Sequence, residues 1–185
     1  ELARTVHPLL ATRGVPGTHD VPLIEQAFAA LAKGSDQPLR LPRFDKASDD
    51  RLAEADWPSV PGRCQVVLFE GWCIGARPGD TARLAEPINV LERDEDPDLV
   101  WRRHVQAALA GPYAALWDRL DLLVALLPPG FAEVRRNRAL QESKLGSGSG
   151  PDRRMDAAAL DRFLAHYERI TLDLFAQLPE TADFL

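Results

Sequence analysis

The residues best suited to chemistry fall into four short stretches. Glu70-Gly71 follows directly on the apolar run Val66–Phe69. A carboxylate at the carboxyl end of a buried parallel strand can hold a metal-bound water or take a proton, and ligands gather at that end of open α/β sheets. The adjacent glycine lets backbone approach a ligand. The same pair also reads as a strand ending in a solvated turn. Arg135, Arg136 and Arg138 lie within one turn of a predicted helix, just past a second apolar run. Guanidinium groups match phosphate and carboxylate through paired hydrogen bonds. Arg13-Gly-Val-Pro-Gly-Thr-His-Asp20 sets two glycines and a proline ahead of a helix N-terminus, an arrangement that suits an anion. A capped turn has the same composition. Arg43, Asp45, Lys46 and Arg51 share a polar segment that is either a substrate loop or a solvated charged face.

Two apolar runs must frame these groups. Val66–Phe69, β-branched at its start, predicts a strand buried on both faces of a parallel sheet. Asp121–Leu127, stopped by Pro128-Pro129-Gly130, predicts a second. Helices are predicted at Val21–Lys33, with Asp20 as N-cap and Gly34 as closure, and at Leu99–Leu109, with Asp98 as cap. Gly111-Pro112 interrupts the latter before a helix Tyr113–Leu120, with Leu116, Trp117 and Leu120 inward. Further helices are predicted at Phe131–Leu145 and Met155–Leu178; in the last, Leu160, Phe163, Leu164, Tyr167, Ile170, Leu174 and Phe175 recur at helical spacing. Leu39–Arg51 reads as a short strand or hairpin with Leu39, Leu41 and Phe44 turned inward, and Gly75–Glu92 as loop with a short turn opened by Asn89. The Gly146–Gly150 run GSGSG has the composition of a mobile connection. Glu1–Leu10 reads as a helix from inside a larger protein, and Asp183–Leu185 as the start of a strand.

Composition narrows the function. At 185 residues and 45% apolar content, the chain is one domain's worth. A net charge of −6 and a pI near 5.2 argue against a general nucleic-acid or membrane-surface binder. No run approaches the roughly 18 apolar residues of a membrane span. The strand predicted between Cys64 and Cys73 separates them by about 20 Å at ~3.3 Å per residue, beyond the ~7 Å limit for a disulfide. Free thiols fit a reducing cytoplasm, and two cysteines without a clustered histidine pair make no zinc site.

Taken in order, RGVPGTHD (Arg13–Asp20), LPRFDKASDDR (Leu41–Arg51), VVLFEGWCIG (Val66–Gly75), RRNRALQESKL (Arg135–Leu145) and HYERIT (His166–Thr171) resemble the D-glycerate 3-kinase family and its bacterial relatives. These are P-loop kinases related to uridine kinases, phosphoribulokinases and pantothenate kinases. The resemblance implies an α/β fold with a parallel sheet flanked by helices, ATP with Mg²⁺, and phosphoryl transfer to a small hydroxyl acceptor such as glycerate. It places Arg13, His19 and Asp20 on the acceptor side and Asp45, Lys46 and Arg51 in a substrate loop. Glu70 falls on the metal and base side, reaching a metal through water, with Gly71 and Arg136 toward the nucleotide. Arg135 and Arg138 become lid arginines near the transferring phosphate, where cationic stabilisation supplies much of the catalysis.

The family also carries a GxxxxGK[ST] phosphate loop, and none occurs here: the lysines are Lys33, Lys46 and Lys144, each outside any glycine-rich loop. The expectation is therefore a single kinase-like domain, 1–185, lacking the first strand and helix and stopping before the last strand. In the whole protein it would serve an ATP-dependent small-molecule kinase, with no obligate protein partner. The rival reading is a kinase-like scaffold that binds an anion without nucleotide chemistry.

Overall fold

The computed structural model describes residues 1–45, 50–144 and 155–185. In chain order the elements are α1 (Leu2–Thr5), a 3₁₀ turn (Pro8–Ala11), α2 (Val21–Lys33), β1 (Leu39–Arg40), β2 (Phe44–Asp45), β3 (Asp50–Arg51), a 3₁₀ turn (Glu54–Asp56) and β4 (Ser59–Val60). A 3₁₀ turn (Thr81–Ala85), α3 (Val90–Glu95), α4 (Val100–Ala108), a π turn (Leu109–Tyr113), α5 (Ala114–Trp117), α6 (Phe131–Lys144) and α7 (Ala157–Thr181) follow. They form two compact units, one of Glu1–His19 with Trp72–Leu185 and one of Asp20–Gly71.

In the first unit α7 is the spine. Asp156 Oδ1 caps it by accepting from Ala159 N at 2.7 Å, and Leu160, Leu164, Ile170, Leu174 and Leu178 are buried along one face. Against α7 pack α3 and α6. Trp101, Val105, Leu109, Tyr113, Leu116 and Trp117 extend the core through α4 and α5. Pro112, which lacks an N–H and crowds the preceding turn, does not break this path as its type suggests. The backbone widens into the π turn and continues as α5.

The cap of α4 is Asp96, not Asp98. Its Oδ1 accepts from Trp101 N at 2.8 Å and its Oδ2 from Arg102 N at 3.1 Å, with Leu99 between them in the left-handed region at φ 64°. Asp96 is chosen because it is buried beside Arg102. Arg102 Nε donates to Asp96 Oδ2 (2.9 Å), Nη1 to Leu84 O (2.8 Å), and Nη2 to Asp96 O (2.5 Å) and Glu92 O (3.4 Å). Glu92, also buried, accepts from Arg169 Nε at 2.8 Å and Nη2 at 2.5 Å. The Asp96–Arg102–Glu92–Arg169 chain ties the 81–85 turn, α3, α4 and α7 together. A buried charge holds its place only when paired and fully hydrogen-bonded, as these are.

The second unit is built on α2. Asp20 Oδ1 accepts from Leu23 N at 3.2 Å, and Gly34 at φ 69° closes the helix with its N–H on Ala30 O. β1 pairs antiparallel with β4 (Leu39↔Val60) and β2 with β3 (Phe44↔Arg51). Gly62 makes this return possible: a Cβ there would stand 2.0 Å from Gln37 O. Phe28 of α2 meets Phe69 edge-on at 5.0 Å. Phe44, expected inward, is exposed.

The two apolar runs depart from expectation. Val66–Phe69 forms no strand among the described residues, and Val66 and Leu68 are 81% and 91% exposed. Asp121–Leu127 keeps one parallel bridge, Val124 to Phe184, with Ala125 N donating to Phe184 O at 2.8 Å. Ala125 is buried by it, while Leu122, Val124 and Leu126 on the alternate positions are exposed. A parallel sheet buries a strand only between neighbouring strands under covering helices. Those neighbours are not supplied among the described residues. The expected helix-flanked parallel sheet is thus reduced here to that bridge and two antiparallel pairs. The GSGSG run and Lys46 lie outside the described residues, and the described helices include none long and apolar enough to cross a membrane.

Candidate functional site

The Arg13–His19 loop is fixed from both inside and outside. Gly14 and Gly17 both hold φ 95°, a region that disfavours any side chain. Between them Val15 and Pro16 plug into the core. Thr18 Oγ1 accepts from Gly14 N at 3.0 Å and donates to Val15 O at 2.7 Å, closing the turn. Three aromatic tips then hold the backbone: Tyr167 Oη donates to Arg13 O (2.6 Å), Trp72 Nε1 donates to Gly14 O (3.0 Å), and Gly17 N donates to Tyr113 Oη (3.0 Å). His104 closes against Gly17, where a Cβ would stand 2.8 Å from Nε2. The side chains of Arg13 and His19 remain at the exposed rim.

The helix segment 166–171 joins this loop to α6. Tyr167 meets Trp72 at 5.2 Å and Phe163 at 4.8 Å, and the Arg138 guanidinium lies 5.2 Å above the Phe163 ring. Burial pushes the Tyr167 phenol up to about 12, so it stays a hydrogen-bond donor to the loop. His166 is structural: Nδ1 donates to Arg162 O at 2.9 Å, leaving Nε2 to accept from Thr12 Oγ1 at 3.1 Å. Burial lowers its pKa and keeps it neutral. Three of the segments singled out in the sequence therefore meet within the first unit.

The α6 arginines are each engaged. Arg135 makes a paired contact to Asp161 (2.6 and 3.0 Å), and Arg136 one to Glu133 (2.9 and 2.6 Å). Each carboxylate beside its arginine is held below its ordinary pKa by the hydrogen bond. Arg138 reaches the buried Glu142 at 2.6 Å and Gln141 Oε1 at 2.6 Å, and its buried Nε has no hydrogen-bond partner among the described residues. An incoming phosphate would have to displace these partners.

The remaining sequence candidates belong to the second unit. Asp20, besides capping α2, pairs with Arg51 at 2.6 Å, both half-exposed. Asp45 lies in β2, paired in register with Asp50. Glu70 and Gly71 are exposed at the unit's end. No group of three or more His, Cys, Asp or Glu side chains among the described residues could hold a metal ion. Exposed Glu70 joins no such group and these 185 residues hold no GxxxxGK[ST] loop, so no step is assigned through ATP or Mg²⁺. Trp72 and Tyr113 carry no role in the sequence reading, His104 reads there as a packed or exposed mid-helix histidine rather than a ligand, and Tyr167 as plain core. Their signal is a Tyr or Trp polar tip that must find a partner when buried.

No family model and no solved structure matches the chain. Three curated proteins do. Over 145 residues it is 32% identical to the "Uncharacterized kinase mug58" of Schizosaccharomyces pombe, covering 75% of this chain and 51% of that protein. Over 185 residues it is 30% identical to the "D-glycerate 3-kinase, chloroplastic" of Arabidopsis thaliana, covering 95% of this chain and 38% of that one. A 78-residue match of 30% reaches the "Probable ATP-dependent kinase TDA10" of Saccharomyces cerevisiae, covering 38% and 26%. The chain spans about half or less of each relative's length. The likeness to the glycerate kinase runs along nearly the whole chain, through the glycine loop, the arginine helix and the helix that joins them, and the chain belongs to the D-glycerate 3-kinase-like kinase family.

Proposed function

We propose that the whole protein is an ATP-dependent phosphotransferase acting on a hydroxyl of a small organic acid, with D-glycerate the favoured acceptor and Mg²⁺ accompanying the nucleotide. The observation that carries this reading is the 30% identity to a D-glycerate 3-kinase along 95% of the chain. The chain supplies acceptor and lid residues. No GxxxxGK[ST] phosphate loop occurs within these 185 residues. Arg13, His19, Asp20, Asp45, Lys46 and Arg51 serve the acceptor, with Asp20 orienting the Arg51 guanidinium toward a carboxylate. Arg135 and Arg138 exchange Asp161 and Glu142 for the oxygens of the transferring phosphate, and Arg136 and Gly71 lie toward the nucleotide. Glu70 stands on the base side.

The test is ATP-dependent phosphorylation by the whole protein, with D-glycerate compared against glycerol, which lacks the carboxylate. Phosphoglycerate formation with little product from glycerol is expected; equal use of both removes the carboxylate-binding assignment. The alternative reading is an anion-binding module without nucleotide chemistry. Calorimetry showing that the whole protein binds glycerate but not ATP would select it.

A further inference from the structure

Tyr113, only the first residue of a predicted helix in the sequence, turns its hydroxyl to the Arg13–His19 loop. The ring is buried, so the phenolic proton needs an acceptor inside the protein. Gly17 N already donates to Tyr113 Oη at 3.0 Å, using it as an acceptor. The other contact is His19 Nδ1 at 2.6 Å, with the two rings 5.8 Å apart and tilted by 59°. The Tyr113 proton therefore goes to Nδ1. Burial pushes the phenol up to about 12, so that proton stays on through the physiological range. It also lowers the His19 pKa, favouring the neutral imidazole, in which an acceptor Nδ1 forces the proton onto Nε2.

We propose that Tyr113 is a positioning residue that fixes His19 in its Nε2–H tautomer, so that Nε2 donates a hydrogen bond to the anionic group of the acceptor. The inference rests on the acceptor role of the Arg13–Asp20 loop given above. Three observations converge on it. Gly17 binds Tyr113 through its amide, so one hydroxyl registers both the loop backbone and the ring beside it. The Gly17 site admits no side chain, which keeps that register against His104. Finally, His19 is exposed although its Nδ1 is tied, leaving the opposite edge of the ring for a ligand. An Nδ1–H tautomer would instead turn an acceptor lone pair toward an anion, and repel it.

The experiment uses the whole protein, ¹⁵N-labelled at histidine, with the His19 resonances assigned by their loss in His19→Gln. Proton-coupled ¹⁵N spectra above the His19 titration should show a protonated Nε2 and a bare Nδ1. In Tyr113→Phe, which keeps the ring and the core, the tautomers should mix. The same variant should raise the KM for glycerate in proportion to the Nε2–H population lost, about twofold for an even mixture, with kcat changed much less. His19→Gln, which retains an N–H donor, should recover part of the affinity lost in His19→Ala. A protonated Nδ1 in the wild type, or a tautomer unmoved in Tyr113→Phe, overturns the proposal. So does a tautomer that mixes while KM stays constant. Absence of phosphotransfer to any hydroxy acid would instead overturn the kinase reading, and would leave the spectroscopic result standing.

Discussion

Arg102 is buried at the centre of the charge network of the first unit. Arg102→Met preserves much of the side-chain volume but deletes four hydrogen bonds at once, to Asp96 Oδ2 and to the carbonyls of Asp96, Leu84 and Glu92. Asp96 stays buried with two amide donors and His7 Nε2 at 3.9 Å, but without its close cation. Glu92 keeps Arg169. Breaking a buried pair from one side costs about 3–5 kcal/mol. The surviving amides on Asp96 and the second arginine on Glu92 place this case near the lower end, at about 3 kcal/mol. Against a total stability of roughly 5–15 kcal/mol, that is a large fraction. Equilibrium urea unfolding followed by near-ultraviolet circular dichroism would measure it, since Trp101 sits on the same turn. A cycle with Asp96→Asn should give a coupling above about 1 kcal/mol, as expected of side chains in direct contact. A loss below about 1 kcal/mol, the size of an exposed ion pair, would refute the claim that this network holds α3, α4 and α7 together.

The two glycines of contrasting setting offer a second check. Gly17→Ala forces a side chain into φ 95° and against His104, and should cost roughly 1–3 kcal/mol; Gly111→Ala meets open space in a helical stretch and should be neutral or stabilising by about 0.4–1 kcal/mol, as thermal melts would show. Cys64 should react with a thiol reagent at once, whereas Cys73, buried and with its thiol pushed up to about 12, should react only on unfolding; equal rates would contradict the placement of Cys73. In the whole protein, Arg138→Ala should lower kcat by at least about tenfold while leaving the acceptor KM within a factor of two or so, because a group acting on phosphate charge in the transition state adds little to acceptor binding. An unchanged kcat in both Arg135→Ala and Arg138→Ala would return these arginines to their present carboxylate partners.

What was legible in the sequence was local. The Asp20 cap and the Gly34 closure of α2 are written in neighbouring residues, and the helix appears with those bounds. α7 follows from its 3.6-residue period. What could not be read was set at a distance. Asp96 displaces Asp98 as a cap because Arg102 draws it inward, a choice no local pattern encodes. The π turn at Pro112 depends on packing that makes continuing the helix cheaper than ending it. The apolar runs 66–69 and 121–127 failed for the same reason in reverse: a run of Val and Leu specifies only that a strand needs partners, never that they are present.

The loop and the apolar runs stand in opposite conditions, and the contrast bears on what the loop is for. A turn that only reversed the chain would be complete with Thr18 closing on Gly14 and Val15. This one recruits Trp72, Tyr113 and Tyr167 from three further places in its unit to fix the carbonyls of Arg13 and Gly14 and the amide of Gly17. It also commits two glycines to conformations with little alternative use. Ordering a surface loop this far costs entropy that the core does not require. The side chains at its exposed rim are those of Arg13 and His19. Tyr167, Trp72 and Tyr113, which hold the loop backbone, all belong to its own unit. The order of the loop is thus set within its own unit, independently of the exposed run Leu122–Leu126.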